Sequence, residues 1–345
     1  MKKTLLLVVV LVCLSGISSK ALAKVELSGT LFMESTWAWE SKEITGSDDR
    51  ISLFRLGAGE SVIGVRYTSD DGRYEGFGEM ALFGRTDDLT VEAKAAWFAY
   101  QARDFNLRFG LAPTISDRYW PNQLLDDGAG LNGFGKVFFD RNEQIRLSMG
   151  ETYRLMVTVE APYRSSVWEG GDSFSYVPAL AASGELSFGN VQLNPWIRWE
   201  NIRFEDGDLE DSYHSLDCGL GITGDFGLIG FTVAGAYGIN TAQDDPVLSG
   251  DPLLIDNRVE EDVKQVSIWG EVRIGALSLG GGYAKATRDD WTEDPFRWSL
   301  FAGYTIELGQ IAFQPEIAYF DQGEDDQGAD LGSELLFGVS MTMEF

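Results

Sequence analysis

Residues Leu335–Phe345, which end the chain, read LLFGVSMTMEF and carry an apolar side chain at every second position. Successive side chains of a β-strand point to opposite faces, so this alternation predicts a strand with one apolar face. At about 3.3 Å per residue, a strand of this length crosses the hydrocarbon core of a bilayer when it is tilted. The stretch therefore favours an all-β fold built from membrane-spanning strands.

The same alternation recurs along the whole chain, and we interpret sixteen segments as strands. They are 25–39, 51–69, 73–83, 89–102, 105–112, 136–149, 153–162, 177–188, 191–204, 213–224, 228–240, 262–274, 277–288, 296–307, 311–321 and 333–345. In 228–240, for example, Phe231 and Val233 alternate with Thr232 and Ala234.

Short and long connections take turns between these segments. The short ones contain Asp70-Asp71-Gly72, Arg103-Asp104, Gly150-Glu151-Thr152, Gly189-Asn190, Asp225-Phe226-Gly227, Gly275-Ala276 and Gly309-Gln310. The long ones lie near 40–50, 84–88, 113–135, 163–176, 205–212, 241–261, 289–295 and 322–332. This pattern predicts a transmembrane antiparallel β-barrel of 16 strands with short periplasmic turns and long extracellular loops. A soluble β-sandwich or propeller would not explain the regular alternation.

The amino terminus has the three parts of a secretory signal peptide. Lys2 and Lys3 precede the apolar run Leu5–Leu14, and Ala21-Leu22-Ala23 provides a small-residue cleavage site. The apolar run is too short for a membrane-spanning helix, and Val12 disfavours a lipoprotein site at Cys13. We therefore expect residues 1–23 to be a signal peptide and residues 24–345 to form the barrel.

The composition excludes some classes of function. The formal net charge of −27 argues against nucleic acid as a partner. Cys218 is the one cysteine after the predicted cleavage site, so no intramolecular disulfide can form there. His214 is the single histidine, which disfavours a multi-histidine metal site; we expect no catalytic residues and no enzymatic activity.

Two passages resemble the general Gram-negative outer-membrane porins. One is Ser61–Tyr67 followed by a turn at Asp70–Gly72, and the other runs from Ala96 through Gly110. The chain departs from those porins at Leu111, where an arginine is usual, and Leu131–Gly135 only approaches their Pro-Glu-Phe-Gly-Gly signature. The chain is thus identified as a divergent 16-stranded porin, which implies a multi-pass protein of the outer membrane and a homotrimer.

The resemblance also implies that the third outer loop, about 113–135, folds into the lumen as a constriction loop. Its candidate constriction residues are Asp117, Arg118, Tyr119, Trp120, Asp126 and Asp127.

Charged side chains within the strands should face the lumen, since a charge on the lipid side costs about 2–4 kcal/mol at the bilayer midplane. On this basis the predicted pore-lining basic residues are Arg66, Lys94, Arg108, Arg146 and Arg154. Opposite an acidic constriction loop they would create a transverse field that sorts ions. The alternative is that they line a wet surface without forming one constriction.

Aromatic residues in the inward phase offer a second candidate feature. Trp196 and Trp269 are the predicted lumen aromatics, with Phe301 and Phe320 as further candidates. Such rings either stack on sugars or simply pack.

Acidic clusters in the outer loops, near 205–211, 289–294 and 321–330, would suit Ca²⁺ or Mg²⁺ that bridges to lipopolysaccharide phosphates. The alternative is solvated acidic loops with no fixed ion, and no further cofactor is expected. Either arrangement enriches cations at the mouth.

The sequence therefore predicts a porin for passive diffusion of ions and small hydrophilic solutes, with cation preference. Two alternatives stay open: a substrate-selective channel for sugars or organic acids, and a plugged barrel that acts as an adhesin or surface anchor.

Overall fold

Sixteen antiparallel strands account for most of the described chain. The computed structural model describes residues 24–45, 51–85, 88–115, 141–150, 153–161, 172–174, 177–206, 209–240, 254–255, 258–259, 263–289, 291–324 and 327–345. The predicted signal peptide lies outside them. No helix in these ranges is long and apolar enough to cross a membrane.

The strands follow the chain in order. They are β1 (Lys24–Glu40), β2 (Ile51–Thr68), β3 (Tyr74–Arg85), β4 (Asp88–Gln101), β5 (Phe105–Pro113), β6 (Arg141–Met149), β7 (Tyr153–Glu160), β8 (Asp172–Phe174 and Ala179–Phe188), β9 (Val191–Asp206), β10 (Leu209–Asp225), β11 (Ile229–Ile239), β12 (Lys264–Ile274), β13 (Leu277–Thr287), β14 (Phe296–Tyr304 and Ile306–Leu308), β15 (Ile311–Asp321) and β16 (Ser333–Glu344). The two segments of β8 both pair with β9, and those of β14 both pair with β15. A short helix, α1 (Lys42–Thr45), follows β1, and Leu254–Ile255 pairs with Arg258–Val259 between β11 and β12.

The sheet closes on itself where the last strand meets the first. Each strand pairs with the next along the chain, and β16 pairs with β1 so that Phe337 lies opposite Trp37. At the end of this seam Gly29 and Phe345 exchange two backbone hydrogen bonds of 3.1 Å. Closure gives every strand two partners, which the bilayer core requires because it offers no water to unpaired backbone groups.

The two faces of the wall differ as the alternation predicts. On β16 the Phe337 side chain points outward and is 47% exposed, whereas Leu336 beside it points inward and is buried. Large apolar residues occupy the outer face of the other strands as well, including Ile145, Ile197, Ile268 and Leu300. All sixteen predicted segments correspond to strands, so the predicted 16-stranded barrel is confirmed.

The end of the barrel that carries the short connections is called the turn end, and the opposite end is called the loop end. Glycines occur in most of the short connections. Six of the seven short turns contain a glycine with positive φ: Gly72, Gly150, Gly189, Gly227, Gly275 and Gly309. In the first turn the Asp71 carboxylate accepts hydrogen bonds from Ser69 Oγ at 2.8 Å and from the Arg73 backbone at 3.1 Å. These bonds, the Ser69 bond foremost, hold the pKa of Asp71 below its ordinary value.

Two of the predicted long loops are wrong. The structure replaces the predicted loop 84–88 with a tight connection, since Arg85 at the end of β3 pairs directly with Asp88. Likewise β9 and β10 stay paired as far as Asp206 and Leu209, where a loop over 205–212 was expected. Charged residues suggested loops there, but a hairpin that extends past the membrane into water tolerates charges on both faces.

A Cβ at Gly29 should weaken the seam of the barrel. It would lie 2.5 Å from the Phe345 ring and 2.8 Å from the Val62 carbonyl oxygen. We expect Gly29→Ala to lower the free energy of unfolding by about 1–3 kcal/mol, as overpacking does elsewhere. Urea unfolding of the refolded protein in detergent, followed by tryptophan fluorescence, measures the change. Gly78→Ala is the matched control because its Cβ would meet nothing within 4 Å; equal stability of the two variants would contradict the prediction.

Candidate functional site

The side chains that point into the barrel form a buried level and an accessible level. The buried level runs round the circumference and includes Thr36, Ala81, Glu160, Glu200, Trp269, Phe301 and Leu336. Inward side chains nearer the turn end are open: Arg66, Arg154 and Arg273 are each exposed by 46–47%. The lumen is therefore constricted above an open vestibule at the turn end.

The chain that follows β5 turns into the lumen. Gln144 Nε2 donates hydrogen bonds to the carbonyl oxygens of Ala112 at 2.6 Å and Pro113 at 3.0 Å, and the Arg146 guanidinium binds Pro113 as well. Two residues later, Ile115 is buried in a cluster with inward-facing side chains of β7, β8, β9 and β11. The chain thus lies inside the barrel at Ile115, and the inward course of the rest of the predicted constriction loop stays a prediction.

The remaining residues of that prediction lie outside the described ranges, so their role at a constriction stays a prediction. They are Asp117, Arg118, Tyr119, Trp120, Asp126 and Asp127.

Three of the five predicted basic residues come together in one cavity. Arg108 on β5 lies directly opposite Arg146 on β6, and both line a cavity of about 630 Å³ with Arg154 of β7. Arg154 also forms an ion pair of 3.5 Å with Glu185. The other lining residues include Arg103, which sequence reasoning left in a turn.

The other two predicted basic residues do not line this cavity, although Arg66 binds a carboxylate that does. Arg66 forms an ion pair with Glu75 and sits over the Phe77 ring. Lys94 lies on β4 at a register shift, with its ammonium 3.8 Å from the Glu92 carboxylate. The transport role of all five residues stays a prediction.

A buried ionic network stands on the inner wall at the constricted level. Arg198 Nε contacts Glu160 at 3.0 Å and Arg198 Nη2 contacts Glu200 at 2.7 Å, and all three side chains are almost fully buried. Beside it, Trp196 Nε1 donates a hydrogen bond of 2.8 Å to Asp217. Sequence reasoning did not single out Glu160, although its position in phase with Arg154 on β7 places it on the inner face.

The lumen aromatics lie against the wall. Gly219 leaves the space that the Trp196 ring occupies, since a Cβ there would overlap the ring. Trp269 stacks on Phe301 with centroids 5.8 Å apart and planes 9° apart. Both tryptophans are almost fully buried, at 5% and 1% exposure. This geometry favours packing for these rings, and a role in sugar binding stays a prediction.

The single histidine and the serine that follows it lie on opposite faces of β10. His214 is on the outer face of β10, where it stacks on Trp199 with centroids 5.8 Å apart. Ser215, the next residue, points to the inner face and is buried. Consecutive strand residues point in opposite directions, so His214 and Ser215 do not form a catalytic pair.

Several acidic residues of the loop end accept backbone hydrogen bonds or form an ion pair with a lysine. Asp321 and Asp330 accept hydrogen bonds from the backbones of Gly323 and Gly332, and Asp294 binds Lys285 at 2.8 Å. No group of three or more His, Cys, Asp or Glu that could hold a metal ion occurs within the described part of the chain. The predicted Ca²⁺ or Mg²⁺ at the outer loops stays a prediction.

A closed barrel with an apolar exterior, a polar interior and a chain segment entering its lumen defines an outer-membrane channel. The sequence matches the Gram-negative porin family over residues 7–334. The chain therefore belongs to the Gram-negative porins and is a multi-pass protein of the outer membrane. Family and fold point to a channel rather than an enzyme.

Solved structures share this fold at low sequence identity. The outer-membrane channel DcaP of Acinetobacter baumannii is 17% identical, with a TM-score of 0.74 over 95% of this chain and 99% of that one. OmpF of Salmonella typhi in complex with daunomycin is 10% identical, with a TM-score of 0.63 over 93% and 98%. OmpT of Vibrio cholerae in a trimer form is 12% identical, with a TM-score of 0.58 over 94% and 99%. A search of curated protein sequences finds no match.

Removing the arginine of the buried network should be strongly destabilising. Arg198→Met leaves Glu160 and Glu200 buried without their cation, and loss of one partner of a buried pair costs about 3–5 kcal/mol. Lys285→Met is the control because its pair with Asp294 is exposed, and such pairs contribute about 0–1 kcal/mol. Urea unfolding of both variants in detergent measures the difference. A loss for Arg198→Met no larger than that of the control would contradict the assigned role.

Proposed function

We propose that this porin is a passive channel for ions and small hydrophilic solutes. The observation that supports it is the two-sided wall, in which large apolar residues face lipid and the inner face carries many charged, polar and small residues together with a few buried apolar ones. Sixteen strands enclose a lumen wide enough for water. The open vestibule at the turn end gives solutes access to a constriction near Ile115.

Cation preference is the selectivity that the charge distribution favours. At the buried level, the inward-facing residues of the described chain include seven acids and three arginines. The acids are Glu40, Glu160, Glu200, Asp217, Glu271, Glu316 and Glu334, and the arginines are Arg146, Arg198 and Arg297. Rings of carboxylates favour cations in pores. The net charge of −27 adds a long-range attraction in the same direction.

The assembly we propose is a homotrimer in contact with lipopolysaccharide. The trimer form of the OmpT structure supports this assembly by analogy of fold. Acidic residues near 321–330 at the loop end would contact lipopolysaccharide phosphates through divalent cations.

Two specific observations favour other functions. The arginines of the 630 Å³ cavity would suit a channel selective for organic acids. The burial of inward side chains round the whole circumference would suit a plugged barrel that serves as an adhesin or surface anchor. Recordings in planar bilayers separate these functions: current steps in groups of three support the trimeric porin, and the absence of conductance supports the plugged barrel.

Neutralising Asp126 and Asp127 should weaken the cation preference. If the constriction loop carries these carboxylates into the path, Asp126→Asn with Asp127→Asn removes negative potential where ions pass closest to the wall. The reversal potential in a tenfold KCl gradient should then move toward zero. Asp70→Asn in the exposed first turn is the control and should leave it unchanged. A reversal potential that does not move in the double variant would contradict the role of these two residues.

A further inference from the structure

Two cavities open at the turn end of the barrel, and their charges differ. The arginine cavity, defined by Arg103, Arg108, Arg146 and Arg154, has a volume of about 630 Å³ and contains the carboxylates of Glu75 and Asp104. The Arg273 cavity, on strands β8 to β12, has a volume of about 490 Å³ and contains Asp225, Glu271 and Arg273 as its charged groups. The first cavity therefore has an excess of guanidinium groups and the second an excess of carboxylates.

The carboxylates near the arginine cavity leave part of its positive charge uncompensated. Glu75 is bound by Arg66, which lies outside the cavity lining, and Arg154 is bound by Glu185 at 3.5 Å. Neither Arg103 nor Arg108 forms an ion pair with any residue of the described chain. In the Arg273 cavity, by contrast, Arg273 lies 3.3 Å from Asp225.

The arginine side chains are also held in place. The Arg108 guanidinium lies 4.1 Å from the centroid of the Trp97 ring, which presents a face for cation–π stacking. Arg146 donates from Nε to Gln144 at 3.0 Å and binds the Pro113 carbonyl. A guanidinium that is fixed before binding loses less entropy when it meets a carboxylate, and its planar fork binds a carboxylate through two hydrogen bonds.

We propose that the arginine cavity is a binding site for a small organic polycarboxylate that enters from the periplasm. Several fixed guanidinium groups in one cavity match several carboxylates on one ligand, and the apolar side chain of Met156 in the lining suits its carbon skeleton. The site lies below the constriction, at the end that the predicted orientation places toward the periplasm. It goes beyond the proposed passive channel, which needs no bound solute.

Binding of citrate to the detergent-solubilised protein tests the site without any need for conductance. Isothermal titration calorimetry should show saturable binding of citrate and much weaker binding of acetate, which has one carboxylate. A charge-assisted hydrogen bond contributes about 1.5–3 kcal/mol, so Arg108→Gln and Arg154→Gln should each weaken citrate binding about tenfold or more. Arg273→Gln removes an equally accessible arginine from the other cavity and should leave citrate affinity unchanged.

Several results would overturn the assignment. The first is citrate affinity that is unchanged in Arg108→Gln and Arg154→Gln. The second is citrate affinity that Arg273→Gln weakens as much as those two variants do. The third is inorganic phosphate that binds as tightly as citrate, because the cavity would then bind any multivalent anion. Each variant is first checked for folding by its heat-dependent mobility in detergent gels, and two independent arginine variants guard against failure of one to fold.

Current recordings in a planar bilayer test from which side citrate enters the site. Citrate added on the periplasmic side should reduce the current at lower concentration than citrate added outside, and equal block from both sides would contradict periplasmic entry. A protein that binds citrate but shows no conductance would retain the site and exclude the proposed channel, so the two failures are distinguishable.

Discussion

Backbone hydrogen bonding inside hydrocarbon is the constraint on which the rest of this structure depends. An unpaired N–H or C=O in the bilayer core costs several kcal/mol, so a sheet that crosses it cannot have an edge. The pairing of β16 with β1 meets this requirement, and the reciprocal bonds between Gly29 and Phe345 complete it at the end of the seam. Closure then creates an interior, and every inward side chain belongs to one shared surface.

For a charged side chain on that surface, burial costs free energy and an ion pair offsets part of this cost. At the constricted level Arg198 is surrounded by carboxylates and buried with them, so its contacts with Glu160 and Glu200 maintain the wall. At the turn end Arg103 and Arg154 are open to the vestibule, where water reduces the cost of their charge. Charged residues at the constricted level therefore stabilise the wall, whereas charged residues at the turn end are accessible to a solute.

The strand pattern of this protein was predictable because alternation is a local property with period two. All sixteen segments were found from the sequence, and the inward phase of Arg108, Trp196 and Trp269 followed from it. The errors fell at the loop end, where β9 and β10 continue through residues that suggested a loop. Beyond the membrane a paired hairpin and a free loop have similar composition, because water accepts polar groups in both.

The sequence by itself determined the class of fold, the number of strands and the face on which each strand residue lies, since lipid and water impose opposite demands on alternate positions. The tertiary structure alone decided which inward residues meet. Arg103 lines the same cavity as Arg108, whereas Lys94 does not. The Trp196 ring packs over Gly219 on the next strand, because that position has no Cβ. Such encounters depend on the register between strands and on the curvature of the closed wall, and neither is encoded in the alternation along a single segment.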